Sequence, residues 1–513
     1  MLTGKDDDDE TQDDGGGGGT TARVDVLRKA SIFFLLTDDQ DVDMGFVSQP
    51  KLVSLWQKQG ATLEAAFAST PVCCPSRAGI QTGRYIHNVP MTNNSIPGNC
   101  SSTAWQQGAE RHNIGHLMKQ AGYTTMYTGK YLNQYGAPSA GGVQHVPRGW
   151  DNWQALVGNS VYYDYVISNN GTPESHGNTY LPNLLLDKTS DFLRTLEGTD
   201  DPFFIMVGTP SCHDPTEPAP EYAHLLPNAT APRPPNYGKA FRDKHWFVAK
   251  QGEVAGFGSG YAPIEEKYND LQYRRRALTL MTVDDIVANV TATLKSMGRL
   301  NNTYFFYASD HGYHLGNFAV LKDKRLPYET DLRIPAVVRG PHIKPGHVVR
   351  SPVTLVDFAP TFLDIAGAPI PDTMDGVSML PVLTGQEADV RTDFLVEYHG
   401  EGQPPSSQRL PCLMHPPRWP HAPICSCQDA HNNTYECVRT LDRQNGLNTL
   451  YCEMESGFRE FYNITGDPHQ LVNAINTTEP TLIAQLARRL HALKQCKGPS
   501  CRQRHTAQHN PTS

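Results

Sequence analysis

A chain of 513 residues, 38% hydrophobic and 19% charged, is long enough to bury one large core or two unequal ones. Its net charge of -9 argues against a nucleic-acid binder, which would present a basic surface, yet leaves room for a locally basic site that takes an anionic substrate. No apolar run in the sequence approaches the roughly 20 residues of a membrane span.

Residues 1–28 are acidic and then Gly-rich, with no apolar signal-peptide core, and read as a disordered leader. From 29 to 384, strand-like runs alternate with helix-like segments. SIFFLL (31–36), TTMYTG (124–129), PFFIMVGTP (202–210), TYFFYASD (303–310) and IPAVVRG (334–340) are short and rich in aromatic and β-branched residues. Between the third and fourth lies the helical pattern of residues 272–298. This alternation predicts an α/β fold, a large mainly parallel sheet flanked by helices. Several of the runs end directly in polar residues, Asp38–Asp39, Lys130, His213 and Asp310–His311, where such sheets gather their functional groups. Residues 385–513 read as a smaller α+β domain: a Pro- and Cys-rich stretch, the strand-like REFYNI, and a helix-like TLIAQLARRLHALKQC.

Eleven cysteines are present, seven of them after residue 400. Asn-x-Ser/Thr sequons occur at Asn93, Asn99, Asn170, Asn228, Asn289, Asn301, Asn432, Asn463 and Asn476. Together they predict a glycosylated, disulfide-bonded protein of the secretory pathway, lysosomal or secreted. The leader does not supply the address, so a missing or misassigned start is expected.

The segment VCCPSRAGIQTGR (72–84) places two cysteines side by side. Adjacent cysteines rarely bond each other, because the short ring strains the disulfide. No spaced partner ligands for zinc surround them, and the pattern is not C-x-x-C. A structural cysteine and a nucleophile remain open.

Cys73-x-Pro75-Ser76-Arg77 followed by Thr82-Gly83-Arg84 resembles the signature of the type I sulfatases, of the alkaline-phosphatase-like superfamily. The resemblance implies that Cys73 is oxidised to formylglycine by the formylglycine-generating enzyme. The hydrated aldehyde is then the nucleophile: one hydroxyl attacks sulfur and the other later expels sulfate. It further implies one calcium ion held by Asp38, Asp39, Asp310, His311 and the residue derived from Cys73, since carboxylate oxygens suit a hard cation. Read alone, the TDDQ of 37–40 is an ordinary turn or helix cap. Lys130 and Lys324 match the family's sulfate-binding cations, with Lys322 a close rival of Lys324, and Arg77 would complete the cationic clamp beside the metal and the formylglycine oxygens. His213 matches the histidine that protonates the leaving alcohol. The family's usual Gly-Lys-x-His has Leu132 in the last position here, and His314 or Asn133 is the candidate substitute for the missing imidazole.

Within the family, GKYLNQYG, KHW, LTLMTVDD, FYNITGDPHQLVN and the CKGPSC end resemble the branch that acts on the 6-sulfate of N-acetylglucosamine. This implies a sulfuric ester hydrolase that acts on non-reducing ends of heparan and keratan sulfate. The extracellular endo-6-O-sulfatases and the arylsulfatases are the alternatives within the family. The long basic insertion of the endo-acting enzymes is missing, which favours exo-action. An inactive glycan-binding relative would have no need of the complete set of site residues. Phosphatases of related fold use Thr or Ser as nucleophile and two metals. Cys74 and Cys100 are candidates to pair behind the nucleophile, and with Cys73 set apart ten cysteines remain to pair completely. The sequence gives no basis for an oligomeric state.

Overall fold

The structure, a computed structural model, describes residues 29–249, 263–401 and 433–503, with the short paired strands Leu413–Met414 and Cys425–Ser426 between the last two. The leader, Cys412, Cys427, the side chain of Cys425 and the sequon at Asn432 lie outside the described residues.

Ten strands form one mixed sheet with a parallel centre. Thr303–Ser309, Ser31–Thr37, Phe203–Gly208, Thr124–Lys130 and Asn152–Leu156 lie side by side in that order. The first two are buried along their whole length, as expected of strands covered on both faces. Alternation splits the core in two. Ile32, Phe34 and Leu36 pack on one face with Phe358 and Phe362. Phe33 and Leu35 pack on the other with Leu280, Val283, Ile286 and Val287 of the long helix Pro263–Ser296. That helix covers residues 272–296 of the predicted pattern. Its Glu266–Ser296 part is long and apolar enough to cross a membrane, but 67% of its apolar window is buried inside the protein. The predicted strand at 334–340 is present as Ala336–Arg339 and runs antiparallel to Thr303–Ser309.

The C-terminal part builds a four-stranded antiparallel sheet, Asp393–Tyr398, Tyr435–Asp442, Leu447–Met454 and Arg459–Asn463. The helix Pro480–Lys494 lays Ile483, Leu486, Leu490 and Leu493 on one face. The other face shares a core with Phe67, Val72 and Leu332, so this sheet backs the segment that carries Cys73.

Cys74 pairs with Cys100, Cys437 with Cys452, and Cys496 with Cys501. Complete pairing of the ten other cysteines does not hold, because Cys212 is buried and unpaired. It follows the strand Phe203–Gly208 into the interior beside Arg276, where burial pushes its thiol up to about 12.

Candidate active site

Four adjacent parallel strands end at one place. Thr37 stands opposite Ser309, Leu36 opposite Gly208, and Gly129 opposite the same Gly208. The residues that follow therefore emerge together: Asp38 and Asp39, Asp310 and His311, Lys130, and the loop to His213. Backbone bonds fix the loops to one another. The Asp38 N–H donates to the Ser211 carbonyl (2.7 Å), the Cys212 N–H to the Asp38 carbonyl (2.6 Å), and the Asp310 N–H to the Thr37 carbonyl (3.1 Å). Asp39 adopts φ 67°, a left-handed conformation that Asp tolerates better than most residues, and its N–H donates to Asp310 Oδ1 at 3.2 Å.

The helix Cys73–Thr82 points its N-terminus into this cluster. Pro75 fits the first turn, where no intrahelical N–H donor is needed. Gly83 ends the helix at φ 66°, with its N–H on the Gly79 carbonyl (2.8 Å), which gives the Gly of Thr-Gly-Arg its physical role. The Cys73 thiol lies 3.6 Å from Asp38 Oδ1 and 3.3 Å from His311 Nε2. Ser76 and Arg77 grip the Asp310 segment. The Ser76 hydroxyl donates to the Asp310 carbonyl at 2.5 Å, and Arg77 Nε to Asp310 Oδ2 at 2.8 Å. Arg77 also donates to the Lys130 carbonyl at 2.9 Å, while its Nη2 is buried with no hydrogen-bond partner among the described residues.

Charges are packed with opposite charges. Lys130 pairs with Asp38, and Lys324 with Asp39 at 2.5 Å. Burial alone would raise the Asp38 carboxyl, but Lys130, His213 and Arg77 hold it well below the usual range. Burial and the neighbouring Asp38 push Asp310 up to about 6. Against its burial, the charges of Asp310 and Cys73 raise His311 to about 9. Burial would also raise the Cys73 thiol, yet Lys130 and Lys324 bring it well below the ordinary value, so the site favours an anion at this atom.

Asp39, His213 and Lys324 of the cluster line a cleft of about 1430 Å³. His213 is half-buried. Its Nδ1–H donates to the Asp214 carbonyl at 2.6 Å, so the neutral ring carries its lone pair on Nε2. Burial opposes its charged form, but Asp39 and Asp38 raise its pKa. Lys322 is separated from Lys324: it pairs with Asp214 on the cleft wall. Leu132 is fully buried in the apolar core. Asn133 donates to Asn159 at 3.2 Å. The imidazole against Cys73 is His311. His314 is fully buried, with Nδ1 on the Asp331 carboxylate at 2.9 Å, because its loop turns it toward the helix Glu329–Leu332.

Two residues escaped sequence reasoning. Ser160 donates to Asp38 Oδ2 at 2.6 Å, and Arg276 reaches from the long helix to the Asp39 carbonyl at 2.5 Å and to Asp41 at 2.6 Å. Ser160 sits in a loop with no motif. Arg276 is one of three consecutive arginines, and only helix phase tells which of them turns inward.

Ligand atoms of Asp38, Cys73, Asp310 and His311 lie within 4.8 Å of one another, as do those of Asp38, Asp39, Cys73 and His213. Each group holds two carboxylates, with Asp38 common to both, and such oxygen donors fit a hard divalent cation. The raised Asp310 supports that fit, because a cation would relieve the repulsion from Asp38.

The Sulfatase family model matches residues 31–368. The chain is 42% identical over 485 residues to the N-acetylglucosamine-6-sulfatase of Homo sapiens, covering 93% of this chain and 86% of that one. It is 39% identical over 386 residues to the extracellular sulfatase SULF-1 homolog of Drosophila melanogaster, covering 73% of this chain and 33% of that longer protein. Among solved structures, a protein in complex with its substrate D-glucosamine-2-N,6-O-disulfate aligns with TM-score 0.70 at 22% identity, over 90% of this chain and 97% of that one. The family match spans the strands that carry the cluster, and the identity runs on through the C-terminal sheet: the chain belongs to the sulfatase family, hydrolases of sulfuric esters.

Proposed function

We propose that the protein removes the 6-O-sulfate of non-reducing terminal N-acetylglucosamine in heparan and keratan sulfate, using a formylglycine made from Cys73 and one calcium ion. The observation that carries the reading is Cys73 itself. It is unpaired, sits at the N-terminus of a buried helix, and is ringed by Lys130, Lys324 and His311. The kinship to N-acetylglucosamine-6-sulfatase over 93% of the chain supports the substrate.

The Cys73 sulfur marks the place of the aldehyde hydrate. Lys130 and Lys324 neutralise the sulfate oxygens, which would otherwise repel a nucleophile. Arg77 holds Asp310 in line. With the hydrate in place, one hydroxyl would attack sulfur and give up its proton as the sugar oxygen left with a proton from His213 Nε2, so the proton count is unchanged. The second hydroxyl's proton would then depart with the sulfate, as hydrogen sulfate, while the carbonyl re-formed. Asp38, Asp39, Asp310 and His311 would hold the calcium, whose charge makes the hydrate more acidic.

Cys73 is 0% exposed, so the formylglycine-generating enzyme must act before the fold closes. Disulfides support passage through the secretory pathway to a lysosome or the exterior. So do exposed sequon residues Asn170, Asn228, Asn289, Asn301, Asn463 and Asn476; Asn93 and Asn99 are half-buried.

The test is sulfate release by protein made in cells that contain the maturation enzyme, with Cys73→Ala as control. Substrates are a terminal N-acetylglucosamine-6-sulfate oligosaccharide, an aryl sulfate and intact heparan sulfate. Preference for the terminal sugar, lost at least about 1,000-fold in the control, is expected. Action on the aryl sulfate alone, or on internal residues, would overturn the substrate and keep the chemistry.

A further inference from the structure

A fully buried imidazole–carboxylate pair lies outside the chemistry proposed above. His314 and Asp331 are each 0% exposed, and His314 Nδ1–H lies against both oxygens of the Asp331 carboxylate, at 2.9 and 3.0 Å. The same carboxylate takes a second donor: the Leu326 N–H reaches its Oδ2 at 2.7 Å. The Asp331 carbonyl takes the Gly312 N–H, and the Thr330 carbonyl the Tyr313 N–H, both at 2.8 Å. The short helix Glu329–Leu332 is thus tied to the segment that leaves Asp310 and His311. It is tied as well to both ends of the loop 315–325, through His314 before it and Leu326 after it.

That loop carries Lys324. Its neck is closed by a pair of backbone bonds: the His314 N–H donates to the Asp323 carbonyl at 2.8 Å, and the Asp323 N–H returns to the His314 carbonyl at 3.1 Å. Lys324 follows directly, and its ammonium meets Asp39 at 2.5 Å. The backbone on either side of it is forced. Asp323 has φ 134° and Arg325 φ 86°, values that residues with a Cβ rarely adopt. Such conformations persist only where the surroundings over-determine them. The Arg325 carbonyl is held by the Tyr435 hydroxyl of the C-terminal sheet at 3.0 Å, and the Arg325 guanidinium by Asp323 and Glu401, each at 2.7 Å. Only a fixed backbone can deliver an ammonium to one point on a flexible four-carbon stem.

We propose that His314 and Asp331 are positioning residues for Lys324: one carboxylate grips both ends of the loop 315–325, and the imidazole bond locks its neck, so that the sulfate-binding ammonium is held against Asp39. The proposal rests on the function proposed above. It has His314 act through Lys324, not as the imidazole missing from Gly-Lys-x-His.

The test is a double-mutant cycle on the matured full chain, read as kcat/KM for sulfate release from a terminal N-acetylglucosamine-6-sulfate oligosaccharide. In His314→Asn the amide nitrogen can take the place of Nδ1 and donate to Asp331, whereas in His314→Gln it lies one bond further out. His314→Gln is expected to lower kcat/KM about tenfold, and His314→Asn to recover most of that loss. Lys324→Ala by itself should cost about 100-fold. In that background His314→Gln should cost no more than about twofold, because the group it positions is already gone. A merely structural role would give the same factor in both backgrounds. Equal losses in the Asn and Gln variants, or a tenfold loss that persists without Lys324, would overturn the clamp while leaving the 6-sulfatase reading intact. Inhibition by inorganic sulfate decides the matter even where the Lys324 variants are too slow to assay or fold poorly. His314→Gln should raise its inhibition constant about tenfold and His314→Asn much less, and an unchanged constant in the Gln variant would overturn the clamp. A wild type that releases no sulfate would sink the underlying reading, and the clamp with it.

Discussion

The cluster under the cleft and the C-terminal sheet are buried to the same degree, and they are built from opposite materials. Asp38, Asp310, Lys130 and Arg77 are each at most 1% exposed, and every one is charged or able to be. Phe394, Val396, Tyr398 and Leu450 are 0% exposed and hydrophobic, and the strands behind them are stapled by Cys437–Cys452. Burying ions costs several kcal/mol each, a cost that packing alone does not return. The C-terminal sheet stabilises at its own site and presses on Val72, next to Cys73. The cluster is assembled for a ligand of high charge, and the rest of the fold holds it in place.

The contrast predicts the largest effect at Asp310. In Asp310→Asn the Arg77 guanidinium loses its buried partner, which should lower stability by about 3–5 kcal/mol. Sulfate release should fall at least about 100-fold, and added calcium should not restore it. Urea denaturation and an activity assay read the two losses separately. A normal denaturation midpoint with activity lost would show that the cluster's charges do not bear on stability, and the contrast would fail in that half.

On the other side, Cys437→Ser/Cys452→Ser should cost stability and spare chemistry. The bridge spans 15 residues of sequence, for which loop entropy predicts about 3 kcal/mol. Activity below the new melting point should remain within about twofold. A large loss of kcat at low temperature would mean that this sheet reaches the site by more than mechanical support.

How much of this was legible follows from which forces are local. Ser31–Thr37 and Thr303–Ser309 announce themselves, because fully buried strands must be apolar throughout. The polar residues at their ends were legible for the same reason: a carboxylate directly after such a run marks a strand end. The direction of Ala336–Arg339 was not legible, since a short apolar run carries no sign of parallel or antiparallel pairing. Cys212 looked like one more disulfide partner, because spacing does not report depth. Leu132 read as a gap in a motif, while the fold uses it as core beside the site, and the imidazole against Cys73 comes from His311. Ser160 and Arg276 reach the aspartates across 122 and 237 residues of sequence, and only tertiary packing brings them there.

The smallest effect sharpens the comparison at the seam between the two regions. His87, just beyond the Cys73 helix, holds Glu397 of the C-terminal sheet with Nδ1 at 3.0 Å and the Cys496 carbonyl with Nε2 at 2.9 Å. Both nitrogens face acceptors, so the protonated ring serves the two at once and the neutral ring serves only one. Burial works against the charge, but the bond to Glu397 raises the pKa above the ordinary 6.5. A raised folded pKa means that the bond's contribution is complete below about 6.5 and fades as pH climbs through the folded value. His87→Gln should therefore be less stable than wild type by about 1 kcal/mol at pH 5, a figure kept low because the ring is partly solvated. The gap should narrow steadily above neutral pH, as thermal melts across pH 5 to 9 would show. A gap that is constant with pH would assign His87 to packing alone. A gap that widens at alkaline pH would mean that the neutral ring is the one that joins the two regions.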